Sequence, residues 1–542
     1  MSQNVPPILG LKSLHIATFI ESEGRIESIL SNLLLKKTNP KIYSMTKFNI
    51  TKSLIILACL FGVTNAEAQF TQEAKVVSEN RERRGEYGTS VAITDGLAIV
   101  GASRETFASG AAYVYSKDSQ GAWNFTQELA ATDSNEGAEY GGGVKISEDY
   151  LVVAAGRADV DGVIRAGALY VYDNINDNWE LDTKIVASDL TNDAKLGMNP
   201  TSLAIQGNTI IAGAPGENGW IGSVYIFTEV AGVWEETQKI TNPASQQDAA
   251  FGIGVSISGD YLLIGAQNVD QRKGAAYIYV KNSSGMFEYE QTITASDRLD
   301  ENFFGSSVSI SGDQLIVGAY GADSEQGSAY VFEKDNQGTW TETQKLNGNP
   351  STEATHFGWV TEIHEEHLVI AAPHIYGFEA GEVYFYKKDN NGLWVEDQIV
   401  QGDDTEGEDF YGWSVAMYEN EMIVGAARED HDVTGNNEES DAGSAYIFKD
   451  PSILGGITNG HPSEAFSVYP VPAKEYITIT TSSSLISEIK LINELGMIIK
   501  ETSIVASKEH QLDVSGVAQG IYFLDIVGND GAKSTKKIVK ID

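Results

Sequence analysis

Four of the chain's eight histidines fall close together, at His356, His364, His367 and His374, a grouping that invites a metal-site reading. However, His364-Glu365-Glu366-His367 is not the helical H-E-x-x-H pattern that puts two imidazoles on one face, and it reads as a hairpin turn. Residues 429–441 gather Glu429, Asp430, His431, Asp432, Glu438, Glu439 and Asp441, a block of like charge expected to stay solvated. Arg157-Ala158-Asp159-Val160-Asp161-Gly162 opens like a calcium loop but lacks the later glutamate that would complete the coordination. No nucleophile stands beside a base and an orienting group, there is no G-x-S-x-G, and no glycine-rich loop is built for phosphate. The sequence therefore nominates no catalytic, cofactor-binding or metal-binding residue. Aromatics say more. Most Trp and Tyr recur at fixed places and read as core, whereas Trp220, Trp359, Tyr376, Phe378 and Trp413 break the pattern and are candidates for a ligand surface.

The pattern they break is a repeat. An aromatic or leucine followed by glycine recurs at Gly88, Gly141, Gly197, Gly252, Gly305, Gly358 and Gly412, with gaps of 53, 56, 55, 53, 53 and 54 residues. Each unit continues with a short alternating run, a tight turn such as Ser258-Gly259-Asp260, and an apolar run ending in a small pair such as Gly265-Ala266. A variable loop and a G-x-x-Y segment follow, as at Gly274 and Tyr277. Six units add a fourth segment opened by Trp or Phe, often with glutamine four residues on, as at Trp123 and Gln127. Four antiparallel strands, repeated seven times, predict an all-β chain whose small sheets stack radially as a seven-bladed β-propeller. The seventh unit stops after Tyr446-Ile447-Phe448 without a fourth strand, and Phe70-Thr71-Gln72-Glu73-Ala74-Lys75 resembles the fourth strand of the first unit. The N-terminal strand is therefore expected to close the ring and hide an edge.

The 542 residues divide into five parts. Residues 45–68 read as a signal peptide with Lys47 and Lys52, an apolar run, and cleavage after Ala68; residues 1–44 read as an upstream extension or a misassigned start. The only cysteine, Cys59, lies in that leader, so the exported part is expected to form no disulfide. The apolar run is too short to span a bilayer. Residues 69–450 form the propeller, 451–464 a linker, and 465–542 a small C-terminal β-sandwich. Net charge is −39 overall, but residues 465–542 hold 8 basic and 9 acidic side chains against 22 and 63 in residues 70–464. So acidic a propeller would repel DNA or RNA, which excludes nucleic acid as a partner.

Phe251-Gly252 with Gly265-Ala266, and Phe304-Gly305 with Gly318-Ala319, resemble the FG-GAP repeats of integrin-α-like propellers. That resemblance implies calcium loops in the first hairpin of several blades, but here those hairpins are cut to turns such as Ser311-Gly312-Asp313, so calcium is not carried over. Val468-Tyr469-Pro470-Val471-Pro472-Ala473, Gly520-Ile521-Tyr522-Phe523 and Lys536-Lys537-Ile538-Val539-Lys540 resemble the C-terminal sorting domain of the Bacteroidetes type IX secretion system. It implies that residues 465–542 engage the type IX machinery and that the protein is secreted or displayed on the outer-membrane surface. The expected role is adhesion-like binding of a protein or glycan through the loops joining second and third strands. The alternative is an extracellular polysaccharide hydrolase or lyase using carboxylates at one end of the channel.

Overall fold

The computed structural model describes residues 69–450, apart from 119, 134, 148, 176, 177, 352, 353, 365 and 376, and residues 467–540, apart from 470–473, 475, 482–484, 494–497 and 529–532. The leader with Ala68, the linker and Tyr376 lie outside the described residues.

Residues 69–450 form seven four-stranded antiparallel sheets. In the fourth, Phe251–Ser258 lies innermost, followed outward by Tyr261–Ala266, Ala275–Lys281 and Phe287–Ile293. The second strand of each sheet is almost wholly buried, because its two faces meet the two neighbouring blades. The glycine after the aromatic is demanded by that contact. At Gly305 φ is +89°, and a Cβ would stand 2.4 Å from the carbonyl oxygen of Ala275 in the preceding blade. The seven tyrosines of the G-x-x-Y segments are buried, and several direct their hydroxyls to carboxylates in the loops: Tyr170 to Asp133 at 2.8 Å, Tyr225 to Asp189 at 2.7 Å, Tyr330 to Asp297 at 2.7 Å and Tyr446 to Asp404 at 2.9 Å. Part of the acidic charge thus serves the cores of these blades.

The seventh sheet contains Tyr411–Tyr418, Glu421–Ala426, Ser444–Lys449 and, on its outer edge, Thr71–Val76 from the other end of the chain. Its junction with the first sheet repeats the junctions elsewhere: Ser414 Oγ donates to the Gly88 carbonyl at 2.7 Å, as Ser90 Oγ donates to the Gly141 carbonyl at 2.6 Å between the first and second sheets.

In residues 467–540, Ser467–Tyr469, Tyr476–Thr480 and Glu509–Asp513 form a three-stranded sheet, and Ile498–Ser507, Ile486–Asn493, Gly520–Gly528 and Lys533–Lys540 a four-stranded one. Ile477, Ile479, Leu512, Ile489, Leu491 and Leu524 join both sheets in one buried cluster. Among the described residues, no helix is long and apolar enough to cross a membrane.

Candidate functional site

In every blade, the loop entering the first strand and the loop joining the second and third strands lie at the same end, because the strands alternate in direction. The residue before each aromatic-glycine pair has a left-handed backbone with φ between 51° and 58°: Glu86, Glu139, Lys195, Ala250, Phe303, His356 and Phe410. The residue after each glycine lines the mouth of the axial channel: Thr89, Gly142, Met198, Ile253, Ser306, Trp359 and Trp413 surround a cavity of about 310 Å³. The repeat fixes where these side chains go, and their identities vary from blade to blade.

Across the fifth, sixth and seventh blades that variation makes an unbroken aromatic arc. Phe303 stacks on Tyr320 with centroids 4.8 Å apart, Tyr320 meets Trp359 at 5.1 Å, Trp359 meets Trp413 at 5.0 Å, and Trp413 stacks on Phe410 at 5.5 Å. Buried His356 fills the angle between Tyr320 and Trp359, and burial pulls its pKa down, favouring the neutral ring. A guanidinium sits at either end, Arg428 4.3 Å from the centroid of Phe410 and Arg272 5.7 Å from that of Phe303.

Across the first and second blades the same positions are ionic. Arg104 Nε lies 3.0 Å from Glu86 and its Nη2 3.8 Å from Glu139, while Arg157 Nε lies 3.1 Å from Glu139. Burial raises the pKa of Glu86 against the opposing pull of Arg104. All nine arginines after residue 69 lie at this end of the blades; seven of them pair with carboxylates or lie over rings, and Arg81 donates to the Asp430 and Asn437 carbonyls.

Of the five pattern-breaking aromatics, the structure brings Trp359 and Trp413 together in the arc. Trp220 stands in the third blade with Lys195 Nζ 4.3 Å from its ring centroid, beside a second cavity rather than in the arc. Phe378 projects from its loop, 82% exposed. Phe303, Tyr320 and Phe410 do not stand out in the sequence, and His356 stands out there only as one of four grouped histidines. The available signal was a change of residue type at a fixed place beside the aromatic-glycine pair.

One expectation is corrected. Glu429, read as part of a solvated acidic loop, is fully buried. It lies 3.1 Å from Lys75 and accepts hydrogen bonds from Ser444 Oγ at 2.5 Å and the His431 N–H at 2.8 Å. A lysine from the N-terminal strand supplies the charge that makes this burial tolerable. The loop beyond it is hydrogen-bonded, with Asp432 accepting from the Thr434 hydroxyl, the Asn437 amide and the Thr434 and Asn436 N–H groups, which together hold its carboxyl below the usual range. His364 and His367 face each other across the sixth hairpin, and among the described residues no three His, Asp or Glu side chains converge as a metal site.

Sequence comparison finds the FG-GAP repeat at residues 70–115, 123–172, 234–279, 287–332 and 394–448, and a secretion system C-terminal sorting domain at 467–541. Each matched repeat begins on an outer strand and ends on the third strand of the following blade, so the first begins on the strand that completes the seventh sheet. A curated relative, beta-agarase D of Zobellia galactanivorans, is 29% identical over 123 residues, which are 23% of this chain and 24% of that protein. The chain thus matches about a quarter of that relative's length. A crystal structure of a protein from Lactobacillus plantarum aligns over 77% of this chain and 99% of its own, at 10% identity and a TM-score of 0.40.

Proposed function

Because the chain is a secreted propeller protein built of FG-GAP repeats and ending in a type IX secretion sorting domain, which directs export to the cell surface or extracellular space, we propose that its propeller is a glycan receptor. The glycan lies over the channel mouth. The observation that carries this reading is the arc from Phe303 to Phe410, five rings in mutual contact across three blades at the rim of a cavity. Sugar rings present C–H faces that pack on aromatic planes, and their hydroxyls pair with charged donors and acceptors. Here Arg104, Glu86 and Glu139 supply those on the opposite wall.

The test is a glycan array probed with residues 69–542, with agarose fragments included because one relative is named an agarase. Trp359→Ala with Trp413→Ala should reduce retention of the bound glycan by about tenfold or more, with the thermal midpoint held near wild type. Full retention by that double variant, or an array on which nothing binds, overturns the reading.

One observation favours a second reading, glycoside hydrolysis. Glu86 and Glu139 share the Arg104 guanidinium across the mouth from the arc, and glycosidases hold their two carboxyls roughly 5 to 10 Å apart. In that case the bound polysaccharide would release reducing ends, and Glu86→Gln would stop the release.

A further inference from the structure

The cavity at the channel mouth is not isolated from the groove beside it. Gln267, from the fourth blade, lines both the mouth and a second cavity of about 670 Å³ between the third and fourth blades. Arg272 lines that second cavity and also lies over Phe303, where the aromatic arc begins. One path therefore runs from Trp413 along the arc, past Arg272 and Gln267, to Trp220.

The groove is chemically distinctive. Five of the eight residues lining it are amides: Gln246, Gln247, Gln267, Asn268 and Gln271. The ring of Trp220 closes one side and is held by the cation of Lys195. Of the amides, Gln246 accepts from the Asp270 N–H at 3.2 Å, whereas the side chains of Gln247, Gln267, Asn268 and Gln271 have no hydrogen-bond partner among the described residues. An amide offers donor and acceptor together, which matches a hydroxyl, itself both. A row of amides selects hydroxyl-rich, uncharged surface where a cluster of one charge would select ions of the other.

Resting on the glycan reading above, we infer that the ligand is a linear, uncharged polysaccharide bound as an extended chain, with the amide groove and Trp220 as a second subsite continuous with the mouth. A free mono- or disaccharide would fill only part of this path. A longer chain engages both cavities, the second at high effective concentration once the first is held.

The experiment measures binding of the full exported chain, residues 69–542, by calorimetry. The probes are ladders of two to eight sugars from agarose, cellulose and xylan, with alginate and sulfated carrageenan ladders as charged counterparts. For at least one neutral ladder, affinity should climb about tenfold or more with length and then level off. Trp220→Ala, and separately the exposed Gln271→Ala, should each remove most of that climb. A neutral disaccharide that binds and responds to Trp359→Ala, in a ladder whose affinity does not change with length, overturns the extended subsite and leaves the mouth reading standing. If no ladder binds at any length, both fail. Tighter binding by the charged ladders overturns the assignment to an uncharged chain.

Discussion

One register position shows how much a single substitution in a repeat can change. Ala92, Lys145, Ala204, Ser256, Ser309, Glu362 and Ala416 occupy the same place in the seven inner strands, paired in turn with the residue two before the small pair. Small side chains suit the axis, and two of the serines bind the next blade: Ser256 Oγ accepts from the Ile310 N–H and Ser309 Oγ from the Ile363 N–H, both at 3.1 Å. Glu362 takes over that role for Met417, in a channel cavity of about 210 Å³ where Lys145 is the charge that acts on it. Desolvation lifts Glu362 to about 7, opposed by Lys145, and lowers the pKa of Lys145. Burial likewise lifts Asp409 and Glu105 to about 7.

The direction of the resulting pH dependence follows from these shifts. A carboxyl whose folded pKa is raised keeps its proton where the unfolded chain has released it, so its stabilisation is complete below about pH 4 and is lost as pH rises towards 7. The thermal midpoint should therefore fall between pH 4.5 and 7.5, and Glu362→Gln, which retains an acceptor for Met417, should flatten that fall. An unchanged slope in the variant would place the titration elsewhere. At this scale the sequence told only part of the story. Trp359 and Trp413 stood out as departures from a pattern, but the fate of Glu429 depended on Lys75, a residue remote in sequence that only the folded ring brings near. Lys75→Ala should leave that carboxylate buried without its cation and destabilise the protein by about 3 kcal/mol in chemical denaturation.

Among the strands, the glutamine four residues after an outer-strand aromatic was legible as a signature, but its purpose was not, because the partner lies in another blade. Each such side chain grips the backbone of the aromatic opening the next outer strand, accepting from its N–H and donating to its carbonyl: Gln127 with Trp179, Gln238 with Phe287, Gln291 with Trp340, and Gln344 with Trp394. Gln398 makes the same pair with Phe70, at 2.7 and 3.0 Å, which assigns Phe70 the place of an outer-strand aromatic in the seventh blade. Phe70 also packs edge-on against Phe385, 4.8 Å away. Gln398→Ala removes both hydrogen bonds, and a loss of about 1 to 3 kcal/mol is expected. The variant should also show faster amide exchange in Thr71–Val76 than in the other outer strands. The comparable Gln127→Ala change should leave exchange in that segment alone.

For the molecule as a whole, periodicity disclosed the number of sheets, their strand count and the missing outer strand. It could not disclose which loops meet at the channel mouth, since that follows from stacking seven units about one axis. Removing residues 70–76 strips the seventh sheet of its outer strand and exposes the edge of Ser444–Lys449. A midpoint lowered by on the order of 10 °C or more, or loss of a cooperative transition, is expected for that truncation, whereas an unaltered melt would deny the strand its structural role.

The seventh sheet also sets how the protein bears tension. Ser444–Lys449 runs from the end that carries the aromatic arc to the opposite end, where the chain departs towards the sorting tail, and it is hydrogen-bonded on one side to Glu421–Ala426 and on the other to Thr71–Val76. A load applied between the channel mouth and residue 450 acts along that strand, perpendicular to the bonds of both ladders. The load then shears two rows of bonds together instead of unzipping one row bond by bond, which makes this strand mechanically resistant.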